Sequence, residues 1–189
     1  SYTMQDTDAG SNSLGSSDNI FIGHTAGGGT WTDVDSNRNV TLGNYTMDAA
    51  TAGALDNVAV GHYALSSITS GDYNTVLGSN AGLSLTTGAD NVVIGYLAGD
   101  TMTNTGNTVL IGKGAGTAIN SDSANYTIAI GFDALANLTN GTGNIAIGGA
   151  TQKGITTGDN NIALGYFAMD DFNAGVNSGN SSGNIAIGT

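Results

Sequence analysis

Asn144-Ile-Ala-Ile-Gly148 is one of five near-identical phrases, the others being Asn19-Ile-Phe-Ile-Gly23, Asn57-Val-Ala-Val-Gly61, Asn91-Val-Val-Ile-Gly95 and Asn184-Ile-Ala-Ile-Gly188. Looser copies end at Gly43, Gly78, Gly112, Gly131 and Gly165. Successive terminal glycines are 20, 18, 17, 17, 17, 19, 17, 17 and 23 residues apart. A short, nearly fixed period means one structural unit stacked on itself, and it moves the search for function from a single pocket to a repeated surface.

Working outward from the glycine, a small residue stands three positions on: Ala26, Ala64, Ala81, Ala98, Ala115, Ala134, Ala168. Seven positions on stands an apolar one: Ile68, Leu85, Met102, Ile119, Leu138, Ile155, Phe172. A second glycine often follows at the tenth, as at Gly53, Gly71, Gly88, Gly141, Gly158 and Gly175. The unit reads as strand, corner, short second strand and glycine turn, which closes a flat two-sided roll. The prediction is an all-β parallel β-roll, a β-solenoid of about ten coils, with residues 1–18 as lead-in or partial coil and 19–189 as one repeat domain.

Composition agrees. The chain holds 31 glycines, no proline, no cysteine and 15 acidic residues, all aspartate. Without glutamate, and with only three Lys and Arg, most good helix formers are missing. Asp, Asn, Ser and Gly are turn residues, whereas the phrases are rich in Ile, Val and Thr. A net charge of -12 and only Arg38, Lys113 and Lys153 as cations argue against nucleic acid. No apolar run reaches the roughly 18 residues of a membrane helix, so membrane insertion is not expected. Ser1 and a last phrase ending next to Thr189 suggest a segment of a longer polypeptide, because open solenoid ends need covering.

Within the phrase the period is two. The second and fourth positions (Ile20, Ile22, Val92, Ile94, Ile145, Ile147, Ile162, Leu164) are large and are expected to fill the roll as aliphatic ladders. The third (Ala59, Val76, Val93, Ala129, Ala146, Ala163, Ala186) is expected on the outside, as an apolar face buried against copies of the chain. The asparagine that opens each phrase is expected to hydrogen-bond amide to amide along the axis.

The phrase Asn-[Ile/Val]-Ala-[Ile/Val]-Gly resembles the repeat of trimeric autotransporter adhesin heads. The longer wording from Thr156 to Ala168, and with small changes from Thr86 to Ala98, is similar to repeats of phage tail-fibre-like proteins. The resemblance covers Asn19 to Gly188 and implies a left-handed roll assembled as a homotrimer. These coils are longer than those of adhesin heads, and three carry insertions.

The residues offer little for catalysis, and no enzymatic activity is expected. There is no cysteine nucleophile, and His24 and His62 sit two coils apart, about 10 Å at a coil rise of roughly 4.8 Å. Paired carboxylates are near-inevitable among fifteen aspartates, so a glycan-hydrolase pair cannot be argued from them. No cofactor is expected beyond calcium, for which Asp33, Asp35 and Asn37 give alternate oxygen ligands without the glycine or distal glutamate of a calcium loop. Tyr63, Tyr96, Tyr166 and Phe167 make a candidate glycan or receptor edge, and subunit packing explains them equally well. A column of Thr69, Thr86, Thr103, Thr139 and Thr156 resembles the hydroxyl arrays of ice-binding solenoids.

The favoured reading is a structural and attachment segment of a homotrimeric fibre. The resemblance points to a phage tail fibre that meets a host cell-surface glycan or protein receptor, extracellular and on the virion. A bacterial surface adhesin head and a monomeric ice- or calcium-binding solenoid are the alternatives. Recognition is expected in the insertions Thr30–Asn37, Ala118–Asn125 and Asp170–Ser182, since loops on a rigid stack are free to vary.

Overall fold

A computed structural model describes residues 16–32, 34–49, 51–120, 124–170 and 182–189. Ten three-residue strands occupy the middle of the ten phrases: β1 (Ile20–Ile22), β2 (Val40–Leu42), β3 (Val58–Val60), β4 (Thr75–Leu77), β5 (Val92–Ile94), β6 (Val109–Ile111), β7 (Ile128–Ile130), β8 (Ile145–Ile147), β9 (Ile162–Leu164) and β10 (Ile185–Ile187). They form one parallel sheet in sequence order, each strand pairing position for position with the next. The protein is an all-β parallel solenoid of about eight turns, with no α-helix among the described residues.

The expected second strand is absent among the described residues of every coil. After each strand the backbone alternates between ordinary and left-handed conformations. In the β3 coil, φ is +56° at Tyr63 and +54° at Leu65, and the same two positions repeat at Leu97 and Gly99, Asp133 and Leu135, and Phe167 and Met169. That alternation cannot form a pleated strand, yet the segment still bonds coil to coil. Tyr63 N–H donates to Asn44 O at 3.0 Å, and Leu65 N–H donates to Ala81 O at 3.1 Å. Backbone groups are satisfied by the neighbouring coils, which is what makes this segment tolerable inside the stack. The glycine closing each phrase is required on two counts. At Gly95 φ is +137°, and a Cβ there would lie 2.4 Å from Gly112 O of the next coil.

The asparagine ladder forms as expected. Asn57 Nδ2 donates to Asn39 Oδ1 at 3.0 Å, Asn74 to Asn57 at 3.0 Å and Asn91 to Asn74 at 2.9 Å. Each backbone N–H joins the same acceptor, as when Asn74 N donates to Asn57 Oδ1 at 3.0 Å. Thr108 and Thr127 interrupt the ladder. Thr108 Oγ1 still donates to Asn91 Oδ1 at 2.7 Å, but Thr127 Oγ1 is buried with no partner. The ladder resumes from Asn144 through Asn161 to Asn184.

The two sides of the sheet are the reverse of expectation. Ala59, Val76, Val93, Ala129, Ala146 and Ala163, expected outside, are wholly buried within the roll, and Ala186 packs against the same core. Ile20, Ile22, Val92, Ile94, Ile145, Ile147, Ile162 and Leu164, expected inside, point out of it and are exposed or half-exposed. Alternation separates two faces without saying which is inner. The interior decides by space. The residue four positions after the phrase glycine also enters the core, and its size complements the strand's middle residue. Ala59, Ala129 and Ala163 face coils carrying Leu65, Leu135 and Met169, whereas Val76, Val93 and Leu110 belong to coils with Gly82, Gly99 and Gly116. A Cβ on Gly116 would come within 3.0 Å of Leu110 Cδ1. One large side chain per level fills the gap, and two would overpack it.

Candidate functional site

With the middle residues inside, every strand turns its first and third residues outward. Thr75 apart, all of these are Ile, Val or Leu. They make two continuous aliphatic columns across the sheet, about 43 Å long at a strand spacing of about 4.8 Å. Ile20 is 48% exposed, Leu42 50%, Leu77 46% and Ile187 77%. An apolar strip of this length, interrupted only at Thr75, reaches the several hundred Å² that soluble monomers seldom leave bare. It is the most distinctive surface of the protein, and it lies where the core was expected.

Two edges border the strip, one before and one after each strand. The leading edge carries the residue ahead of the phrase asparagine, held in left-handed conformation at Asp18, Arg38, Asp56, Tyr73, Asp90, Asn107, Tyr126 and Asn160. Asp and Asn tolerate that conformation best, which accounts for much of the acidity here. Arg38 forks onto Asp56 with both contacts at 2.7 Å. The hydrogen bond from Arg38 holds the Asp56 carboxyl below the usual aspartate range, and the same bond raises the guanidinium. Asp72 and Asp159, one residue earlier in their coils, accept Leu55 N–H at 2.8 Å and Thr142 N–H at 2.9 Å from the coils before them. The leading edge escaped the sequence reading, although Asp, Asn or Gly recurring just ahead of the phrase was a visible sign of left-handed backbone.

The trailing edge follows the phrase glycine and holds the aromatic residues. His24 and His62 do not meet, because the Tyr45 ring stands between them at centroid distances of 5.3 and 5.9 Å. Tyr45 stacks on Tyr63 at 4.8 Å, and His62 meets the edge of Tyr63 at 4.3 Å. Farther along, Lys113 Nζ lies 5.5 Å from the Phe132 ring centre, and Lys153 pairs with Asp133 at 3.0 Å. Tyr166 and Phe167 meet edge to face at 4.3 Å. The four candidate glycan-edge residues therefore share one edge but not one site: Tyr63 belongs to the β3 coil, Tyr96 to the β5 coil, and Tyr166 and Phe167 to the β9 coil.

Of the candidate calcium ligands, Asp33 lies outside the described residues. Asp35 is exposed, and Asn37 Oδ1 accepts Ser17 N–H at 2.5 Å. Among the described residues no group of three His, Cys, Asp or Glu is placed to hold a metal ion. The threonine column is engaged inside the stack: Thr69 Oγ1 donates to Thr86 O at 3.0 Å, Thr86 to Thr103 O at 2.9 Å and Thr139 to Thr156 O at 3.0 Å. Those hydroxyls serve as coil-to-coil ties. The insertion Asp170–Ser182 falls almost wholly outside the described residues, as do parts of the other two. No protein family, characterised protein or solved structure was found to match the chain significantly.

Proposed function

We propose that this chain is a structural and attachment segment of a homotrimeric fibre, its aliphatic strip turned inward against two further copies. The observation that carries the reading is the strip itself: two columns of Ile, Val and Leu, with Thr75 the one exception, spanning ten strands without a covering element among the described residues. A rigid stack with a repeated apolar face and varied insertions is suited to hold recognition loops away from an anchoring point. Together with the resemblance of the phrases, this favours a tail fibre with a left-handed roll of about ten coils, working outside the cell on a host-surface glycan or protein. A bacterial adhesin head is the nearest alternative, and it uses the same assembly.

The test is sedimentation equilibrium of the native chain beside Ile147→Glu. A trimer for the native chain, with a folded smaller species for the variant, supports the reading, because the outward carboxylate would be buried unpaired only on assembly. A native chain that stays a folded monomer at all concentrations refutes it.

A further inference from the structure

At several levels the leading and trailing edges of the strip carry complementary side chains. At each level the residue before the phrase asparagine and the residue after the phrase glycine lie six positions apart across the strand. The β1 coil has Asp18 and His24, the β3 coil Asp56 and His62, and the β5 coil Asp90 and Tyr96. Each carboxylate thus shares its level with a side chain able to donate a hydrogen bond. The β7 coil has Tyr126 and Phe132, both aromatic, and the β8 coil Gly143 and Gly149, neither with a side chain. The β2 coil has Arg38 with Asn44 and the β6 coil Asn107 with Lys113, so no level carries like charges at its two ends.

Six residues of near-extended chain span about 20 Å, which keeps the two members of a level apart in one molecule. Closed rotation about the roll axis brings them together. In a ring of parallel copies with their strips inward, the trailing edge of each copy meets the leading edge of the next at the same height. An antiparallel two-fold pairing of the same strips would set aspartate edge against aspartate edge.

We propose that the seams between copies are built from these same-level pairs, with Asp90 of one copy against Tyr96 of the next as a representative contact. The proposal rests on the assembly reading above and adds its orientation, its register and the residues that touch. Asp90 is exposed and its carboxylate makes no hydrogen bond or ion pair among the described residues, and Tyr96 is 49% exposed. Across the seam the phenol donates to the carboxylate. The aromatic β7 level packs ring on ring across the same seam.

The chain has no cysteine, so engineered thiols report the seam without background. Asp90→Cys combined with Tyr96→Cys, mildly oxidised as the purified full chain, should give disulfide-closed trimers on denaturing gels. Asp90→Cys with Phe132→Cys, two coils off or about 10 Å along the axis, should not, because a disulfide needs Cα atoms within about 7 Å. Cross-linking only in the offset pair, or in Asp90→Cys alone, would overturn the seam while leaving a trimer seen by sedimentation intact. A monomer in sedimentation would end both proposals. Circular dichroism and melting of each reduced variant must match the native chain, and a double variant that fails to fold is replaced by Asn107→Cys with Lys113→Cys, for which the same outcomes decide.

Discussion

The inner and outer sides of the sheet are built from the same three-residue strands, yet they vary by opposite rules. Inside, the middle residue ranges from Ala through Thr, Val and Leu to Phe21, and in most coils a large middle residue is answered by a glycine four residues past the phrase glycine, Thr41 with Met47 being an exception. Phe21, the largest, sits against Gly27, where a Cβ would come within 2.8 Å of its ring. Outside, the columns hold to Ile, Val and Leu with Thr75 the one exception, and no described residue of the chain covers them. A position free to change size has its partner in the same molecule, and a position held to one shape without a covering neighbour is where the proposed assembly would place its contacts.

The sharpest way to break this contrast is to place the same charge on adjacent residues of β8. Ala146→Glu puts a carboxylate into a wholly buried position lined by apolar side chains, and should cost the roll several kcal/mol, enough to unfold adjoining coils. Ile147→Glu should leave the roll's circular dichroism and monomer melt unchanged and act only on assembly. Equal damage to the fold from both would erase the distinction.

The next effect tests the answering pair. Leu110→Ala should cost about 2–5 kcal/mol in denaturant unfolding. Adding Gly116→Leu, which copies the Ala129 and Leu135 arrangement at the same left-handed backbone position, should recover more than half of that loss. No recovery would mean the size matching is coincidental.

A smaller effect lies at the margin of the inner side. Asn74→Ala removes the acceptor of Asn91 and the donor to Gly88 O, and should cost about 2 kcal/mol in the same assay. The smallest lies at the corner away from both faces. Burial pushes the Asp100 carboxyl up, despite backbone hydrogen bonds that lower it, and one of its oxygens has no partner. Its ionisation costs the folded state stability as pH rises from the ordinary 3.8 through the raised value. Asp100→Asn should therefore melt slightly higher than the native chain at neutral pH and equal to it in strong acid.

Strand positions and the asparagine ladder were legible because both follow from spacing alone. The ten strands fall on the ten phrases, and stacked amides need only a fixed period. The facing of the strand was not legible from alternation, which is symmetric between two apolar sides. The clue lay elsewhere in the sequence, in Gly82, Gly99 and Gly116 accompanying Val76, Val93 and Leu110. The second strand was misread because an apolar residue followed by threonine, as at Ile68-Thr69, looks strand-like by composition, whereas that segment is built from turns and bends. The residues proposed for the seams carry no local signature at all. They emerge only once both edges of one strand are read as a pair.

The coil-to-coil bonding has a consequence for how such a chain acquires its structure. Almost every distant contact joins positions one period apart, and 17 of 189 residues gives a relative contact order of about 0.1, the range of helical bundles rather than of most β-proteins. Once two neighbouring coils have closed, each further coil finds a template already in place and adds at the cost of a short loop. Structure can then spread from any such nucleus towards both ends, in the manner of crystal growth on an existing face, with the first pair of coils as the slow event.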